Sequence, residues 1–170
     1  MQVYTGEGKG KTTAALGLAL RAAGRGLRVY ICQFMKGRET GEFKAIEKFL
    51  STYIEIHKCG GRKFVMDRNN PPEEEILRAR AGLTEARKAM LSGSYDIVIL
   101  DEVNVAIYFN LIEEDDVLGL IREKPENVEL VLTGRNAPKS IIEIADLVTE
   151  MKEIKHYYKD GVPAREGIEY

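Results

Sequence analysis

The stretch VYTGEGKGKTT, residues 3–13 of a 170-residue chain, is a short apolar strand that runs into a glycine-rich turn. Such a turn is typical of a phosphate-binding loop, in which backbone N–H groups surround phosphate oxygens, a lysine reaches the outer phosphates and the next hydroxyl binds Mg²⁺. The dipole of the following helix adds a field that favours anions. We therefore expect these residues to bind a nucleotide: Gly6, Glu7, Gly8, Lys9, Gly10, Lys11, Thr12 and Thr13.

The spacing of this loop departs from the usual pattern Gly-x-x-x-x-Gly-Lys-Ser/Thr, because Thr5 stands where the first glycine is expected. Gly6 and Gly8 are available instead, which predicts a rearranged loop. Glu7 would be repelled by a polyphosphate unless Mg²⁺ or a loop lysine lies between them. The alternative interpretation is a basic, glycine-rich turn that binds nothing.

Composition favours one globular domain over residues 1–170, since 44% of the chain is apolar and 31% is charged. The net charge of −2 gives no general attraction to nucleic acid. Cys32 and Cys59 lack the spacing of metal ligands, even with His57 nearby, and indicate reduced thiols. No apolar run reaches membrane-spanning length and no signal peptide precedes the first strand. We expect a cytoplasmic protein with neither a membrane nor a nucleic-acid partner.

Segments typical of strands alternate with segments typical of helices along the whole chain. After the strand that precedes the loop, the predicted strands are 27–34, 52–57, 95–100, 128–133 and 147–154. The predicted helices are 11–23, 42–50, 73–91, 103–110, 114–122 and 139–145, and the tail 156–170 is expected to be irregular or hairpin-like. This alternation predicts a three-layer α/β fold: a mainly parallel sheet with helices on both faces, like a P-loop NTPase of RecA-like build.

Charged side chains follow two of the predicted strands. Asp101 and Glu102 come directly after the apolar run 95–100, and Arg135 follows the strand 128–133. Ligands of such sheets bind beyond the carboxyl ends of the strands, so we expect these side chains near the phosphate loop. Thr12 and Glu102 are the first candidates for Mg²⁺ ligands. Asp101 is either a further ligand or a structural partner of the loop, and Arg135 either neutralises phosphate or is a surface arginine.

Several segments together resemble the P-loop class of ATP:cob(I)alamin (corrinoid) adenosyltransferases, and the resemblance covers nearly the whole chain. The segments are GEGKGKTTAALGLALRAAGRG (6–26), VYICQFMKG (29–37), ILDEVNVAI (99–107), LTGRNAPKSIIEIADLVTEM (132–151) and VPAREGIEY (162–170). The most specific parts are the GKGKTTAA core, the QF-x-KG segment and the ending from LTGR to GIEY.

The resemblance implies that the Co(I) of a reduced corrinoid attacks the 5′ carbon of ATP and that triphosphate leaves. It also implies an ATP orientation reversed from that of phosphoryl-transfer enzymes, which would rationalise the altered loop. Lys9, Lys11 and Arg135 would then act as the catalytic groups, with Mg²⁺ or Mn²⁺, on the charge of the leaving triphosphate. The family further implies a homodimer and a reductase that supplies electrons to cobalt.

The loop 58–72 carries an apolar island, Phe64-Val65-Met66, which either packs into the core or lines a ligand pocket. In the family, a Phe-x-Trp pair of the corresponding loop packs where the lower axial ligand of cobalt would lie. Phe64 matches the first aromatic residue, whereas Met66 stands in the place of the tryptophan, and both are candidate corrinoid contacts. The chain also begins without the N-terminal extension of some members, so we expect a more open corrinoid pocket or one closed by a partner subunit.

Two other classes of function remain open on the sequence. The same loop and the acids Asp101 and Glu102 suit an ordinary P-loop kinase or ATPase, whose products would be ADP and a phosphorylated acceptor or phosphate. A nucleotide-binding module without turnover would show tight ATP binding and no product.

Overall fold

A sheet of six strands organises the part of the chain that the computed structural model describes, residues 1–37, 39–61, 65 and 67–170. The strands are β1 Gln2–Thr5, β2 Val29–Gln33, β3 Ile54–Lys58, β4 Ile97–Asp101, β5 Glu129–Thr133 and β6 Leu147–Glu150. The helices are α1 Lys11–Ala23, α2 Gly41–Ala45, α3 Glu73–Leu91, α4 Val103–Tyr108, α5 Glu114–Arg122 and α6 Lys139–Ile144. A π-helical turn over Ile46–Leu50 continues α2, and a 3₁₀ turn covers Tyr157–Asp160.

The strand order is β3-β2-β4-β5-β1-β6, and every pairing is parallel. The predicted parallel α/β sheet is therefore confirmed, and among the described strands it is wholly rather than mainly parallel. β2 and β4 are buried along their entire length, as their continuous apolar sequences predict for central parallel strands. β5 lies between β1 and β4, so the strand that carries the loop and the strand that carries the acids are one strand apart.

One face of the sheet is covered by α1. Its buried side chains are mostly alanines, such as Ala15 and Ala19, which pack with Ile31 of β2 and Ile99 of β4. Small side chains allow a helix axis to approach the sheet closely. The helix that follows the predicted phosphate loop is thereby packed closely against the central strands.

The opposite face is covered by α3, α4, α5 and α6, which confirms the predicted three layers. Leu83 and Met90 of α3 and Ile141 of α6 belong to one buried cluster with Leu100 of β4. Val65 of the loop after β3 is also buried in this cluster. For Val65, the interpretation that the apolar island packs into the core is therefore confirmed, while Phe64 and Met66 lie outside the described residues.

The last strand is shorter than predicted, because β6 ends at Glu150 and not at residue 154. The backbone of Met151 bonds to the phosphate loop instead: its N–H donates to the Thr5 carbonyl at 2.8 Å, and its carbonyl accepts from the Gly8 N–H at 2.6 Å. The tail is irregular, as expected, apart from the short 3₁₀ turn at Tyr157–Asp160.

Within the described residues, no helix has both the length and the apolar composition needed to cross a bilayer. Cys32 is buried in β2, Cys59 is half-buried just after β3, and both are free thiols.

Candidate functional site

The phosphate loop rests on the segment that follows β6. Gly6 and Gly10 have φ angles of 94° and 121°, in the left-handed region that only glycine adopts without strain. A Cβ added at Gly6 or Gly8 would lie 2.6 Å or 2.7 Å from the Met151 carbonyl oxygen. These two glycines are therefore needed because another backbone passes directly beneath the loop.

The contrast between two glycines tests this arrangement. We expect Gly6→Ala to lower the free energy of unfolding by about 2 kcal/mol, because the new side chain meets both an unfavourable φ and the Met151 carbonyl. The matched control is Gly17→Ala in the exposed part of α1, where an added Cβ has no atom within 4 Å. That change should raise stability by up to about 1 kcal/mol. Urea unfolding of both variants measures the difference, and equal effects would contradict the described loop.

Lys11 lies inside the loop. Its ammonium group donates to the carbonyl oxygens of Gly6 at 2.6 Å and Gly8 at 2.8 Å, and only 6% of the residue is exposed. Burial lowers the pKa of Lys11, while the charge of Glu102 acts in the opposite direction. The loop carbonyls satisfy the hydrogen bonds of this buried cation, and a charged acceptor such as a phosphate oxygen would bond to it more strongly.

Asp101, at the carboxyl end of β4, has 1% of its surface exposed, and its carboxylate accepts four hydrogen bonds. Its Oδ1 accepts from the hydroxyls of Thr12 at 2.9 Å and Thr133 at 2.7 Å. Its Oδ2 accepts from the amide of Gln33 at 3.1 Å and from Lys36 at 2.9 Å. Asp101 therefore ties the ends of β2, β4 and β5 to the first turn of α1.

Glu102 has a left-handed backbone with φ 63°, a conformation that costs free energy in a non-glycine residue. The turn is held by its N–H, which donates to Thr133 Oγ1 at 2.9 Å. Burial, and secondarily the charge of Asp101, raises the pKa of Glu102. The carboxylate lines the same cleft as Thr12 and makes no hydrogen bond or ion pair with the described part of the chain. It is therefore available to a cation.

Arg135 follows Gly134, whose φ of 126° lets the chain pass close to α4 after β5. Its guanidinium donates to Glu7 Oε2 at 3.0 Å, with more than half of both side chains exposed to solvent. Exposed pairs of this kind contribute about 1 kcal/mol or less, so a bound polyphosphate can readily compete for the arginine. The same pair answers the question raised by Glu7, because Arg135 offsets the charge of that carboxylate.

The C-terminal tail closes one side of the loop, which the sequence did not predict. Lys9 donates to Glu169 Oε1 at 3.0 Å and to the Ile168 carbonyl at 3.2 Å. Glu169 also accepts from Arg165 and from the Tyr157 hydroxyl, and these contacts hold its pKa well below the usual range. Lys9, expected to face phosphate, is thus bound to the tail in this structure.

A cleft of about 520 Å³ at the carboxyl edge of the sheet brings most of the candidate residues together. The predicted residues that line it are Gly8, Lys9, Gly10, Lys11, Thr12, Thr13, Glu102 and Arg135. Asp101 lies beneath the cleft behind Thr12, Gly6 lies against Met151, and Glu7 lies beside Arg135. A second cleft, of about 610 Å³, lies between β3 and α3 and is lined by neither the loop nor the acids.

Two residues of the site were not predicted as such. Lys36 belongs to the QF-x-KG segment but had no assigned role, and Thr133 was noted only as the end of the predicted strand 128–133. Both stand at or just beyond the carboxyl end of a predicted strand, as the acids do. That position is the signal that would have found them.

The family described as ATP:corrinoid adenosyltransferase BtuR/CobO/CobP matches residues 1–170 of the chain. The chain is 36% identical to the corrinoid adenosyltransferase of Pseudomonas aeruginosa over 99% of this chain and 82% of that protein. It is 35% identical to the corrinoid adenosyltransferase of Sinorhizobium sp over 99% of this chain and 78% of that protein. It is 34% identical to the corrinoid adenosyltransferase of Escherichia coli strain K12 over 99% of this chain and 84% of that protein.

Proposed function

Because the chain belongs to the ATP:corrinoid adenosyltransferase family, we propose that its carboxyl-edge cleft binds ATP and holds the triphosphate as the leaving group. The protein transfers the 5′-deoxyadenosyl group of ATP to the Co(I) of a reduced corrinoid. The observation that supports the site assignment is that the loop residues, including Lys9 and Lys11, line a single cleft together with Arg135. This concentration of donors suits a group that departs with high negative charge.

The transfer forms one bond and breaks one bond, and neither change requires a proton transfer by the protein. The electron pair of Co(I) forms the bond from cobalt to C5′, and the C5′–O bond breaks with its electron pair going to triphosphate. No proton is transferred to or from carbon, so the site needs no general base. What the chain must supply is orientation of the nucleotide and stabilisation of the leaving charge.

Lys11 is the group best placed for that stabilisation. Its ammonium already lies within the loop, bonded to the Gly6 and Gly8 carbonyls. A triphosphate in the cleft offers charged acceptors in place of these neutral ones, and charge-assisted hydrogen bonds are roughly twice as strong. Arg135 and Lys9 line the same cleft, and each would exchange a carboxylate partner, Glu7 or Glu169, for the triphosphate. We assign all three residues to the leaving triphosphate.

The donor set of the cleft fits a hard divalent cation, since the Thr12 hydroxyl and the Glu102 carboxylate both supply oxygen. We propose that these two residues hold Mg²⁺ or Mn²⁺, which would neutralise part of the triphosphate charge. Both oxygens of Asp101 already accept two hydrogen bonds each, so this residue is better suited to orient Thr12 than to bind the ion directly. We therefore propose the structural role for Asp101.

The remaining parts of the proposal follow from the family. Phe64 and Met66 are proposed corrinoid contacts, because they occupy the positions of the family's aromatic pair. A reductase that delivers electrons to cobalt and a homodimeric state are proposed on the same ground. A cytoplasmic location is proposed because the chain has two free cysteines, which suits a reducing compartment.

Product analysis tests the function. Incubation with ATP, Mg²⁺ and chemically reduced cobalamin should produce the absorption spectrum of the adenosylated corrinoid together with inorganic triphosphate. Omission of the reductant, with all other components present, is the control and should produce neither. Release of ADP and phosphate as the main products would instead establish a kinase or ATPase. ATP binding without any product would establish a non-catalytic module.

A further inference from the structure

Lys36 is a cation that none of the roles above uses. It follows β2 in a turn where Met35 has a left-handed φ of 60°. Its Nζ lies 2.9 Å from Asp101 Oδ2 and 3.0 Å from Thr12 Oγ1. In many nucleotide sites the corresponding hydroxyl and strand-end acid hold the metal ion. Lys36 therefore places a positive charge where a divalent ion would otherwise approach Thr12 and Asp101.

The position of Lys36 is fixed by the fold. A Cβ at Gly60 would lie 2.5 Å from the Lys36 backbone nitrogen and 2.7 Å from that of Met35, so the segment after β3 packs directly against this turn. The side chain is 26% exposed, while that of its partner Asp101 is 2% exposed. Most of the ion pair is thus shielded from water. Two charges attract each other more strongly in such a buried position than at the surface, because the effective dielectric constant is lower.

Lys36 and Asp101 form a salt bridge at 2.9 Å, so the charge of the lysine offsets that of the carboxylate. Lys11 lies in the same cleft as Glu102, so the two lysines offset the charges of the two acids beside Thr12. A bare divalent cation therefore gains little from these acids, whereas a bound triphosphate adds negative charge and makes the same place attractive.

We propose that Lys36 is a positioning residue that acts as a built-in cation, neutralising Asp101 and barring divalent metal from the cleft until the triphosphate arrives. This inference rests on the proposed function, because it assumes that the cleft binds a metal-triphosphate group. It makes metal binding conditional on the nucleotide. Thr12 keeps one hydroxyl lone pair for the metal even while it donates to Asp101 and accepts from Lys36.

Binding of Mn²⁺ alone, measured by electron paramagnetic resonance without nucleotide, tests the inference. The wild-type protein should bind Mn²⁺ weakly, whereas Lys36→Met should bind it at least about tenfold more tightly, because the Asp101 carboxylate is left without its cation. Lys36→Gln keeps a hydrogen-bond donor for Asp101 but removes the charge, and should show the same gain. It serves as the second variant in case the methionine variant does not fold.

Two controls separate charge from structure. Lys36→Arg keeps the charge and should bind Mn²⁺ as weakly as wild type, and Lys139→Met, in exposed α6, should do the same. Tight Mn²⁺ binding by the wild type, or no gain in either neutral variant, would overturn the inference. Adenosyl transfer by the wild type is assayed in parallel with reduced cobalamin. Product formation together with a failed Mn²⁺ result overturns only the role of Lys36, whereas absence of product overturns the proposed function itself.

Discussion

Replacement of Lys11 by alanine should lower the rate of adenosyl transfer by about a hundredfold to a thousandfold, the usual effect of losing one pre-oriented charged donor. Lys11 is 6% exposed and is held by the Gly6 and Gly8 carbonyls, so in the proposed site it would meet the nucleotide in a fixed position. Single-turnover conversion of reduced cobalamin with saturating MgATP isolates the effect on the transfer step.

The control for Lys11→Ala is Lys139→Ala, which removes the same charge from the surface of α6. The Lys139 side chain is 89% exposed and lies 3.6 Å from Glu143, so its loss should change the rate by less than about twofold. Comparison of the unfolding midpoints shows whether either variant is damaged in its fold. Near-native turnover by a folded Lys11→Ala protein would contradict the assignment of the loop to the triphosphate.

The neighbouring acids Asp101 and Glu102 should differ sharply when each is replaced by its amide. Asp101→Asn should lower the free energy of unfolding by about 3 kcal/mol, because it leaves Lys36 as a largely buried cation without its partner. Glu102→Gln should leave stability within about 0.5 kcal/mol of wild type, since its carboxylate has no partner among the described residues. The same change should reduce turnover about a hundredfold at low Mg²⁺, because a proposed metal ligand is lost.

Urea unfolding and the Mg²⁺ dependence of turnover, measured on both amide variants, separate these roles. Asp115→Asn, in the acidic first turn of α5, is the control for removal of a carboxylate outside the site. It should alter stability by less than about 1 kcal/mol and leave the Mg²⁺ dependence unchanged. If Asp101→Asn were stable and needed more Mg²⁺, whereas Glu102→Gln did not, the metal would belong to Asp101.

The layers of the fold were predictable because short stretches of sequence indicate the strands and helices that form them. The continuous apolar run before Asp101 predicts a central parallel strand, and β4 is buried throughout. The Pro71-Pro72 pair and the glutamates after it predict the start of a helix, and α3 begins at Glu73. Such signals depend on a few neighbouring residues, so they can be interpreted without knowledge of the rest of the chain.

The strand order and the end of β6 were not predictable in the same way, because they depend on which distant segments meet. Residues 151–154 add two further apolar residues, Met151 and Ile154, to the predicted strand, yet the backbone of Met151 bonds to the loop after β1. No pattern within residues 147–154 records that partner. A strand prediction from local sequence alone therefore continues too far.

The site was predictable where residue type and spacing carry the chemistry. The loop lysine, the hydroxyl after it and the strand-end acids were found, and the structure brings Lys11, Thr12 and Glu102 to one cleft. Lys36 and Glu169 were not predicted as site residues, because their roles depend on oppositely charged side chains that are distant in the sequence. Lys36 meets Asp101 from another strand, and Glu169 meets Lys9 across almost the whole length of the chain.

The contact between Gly8 and Met151 also sets the order in which the protein can mature. β1 is synthesised early but lies between β5 and β6, and the loop after it rests on the segment beyond β6. Parallel pairing between segments so distant in sequence forms slowly, since the chain must close a long loop first. In the proposed site, the loop that binds ATP is therefore supported only once the segment after β6 has docked. ATP bound there would stabilise the completed fold over its precursors.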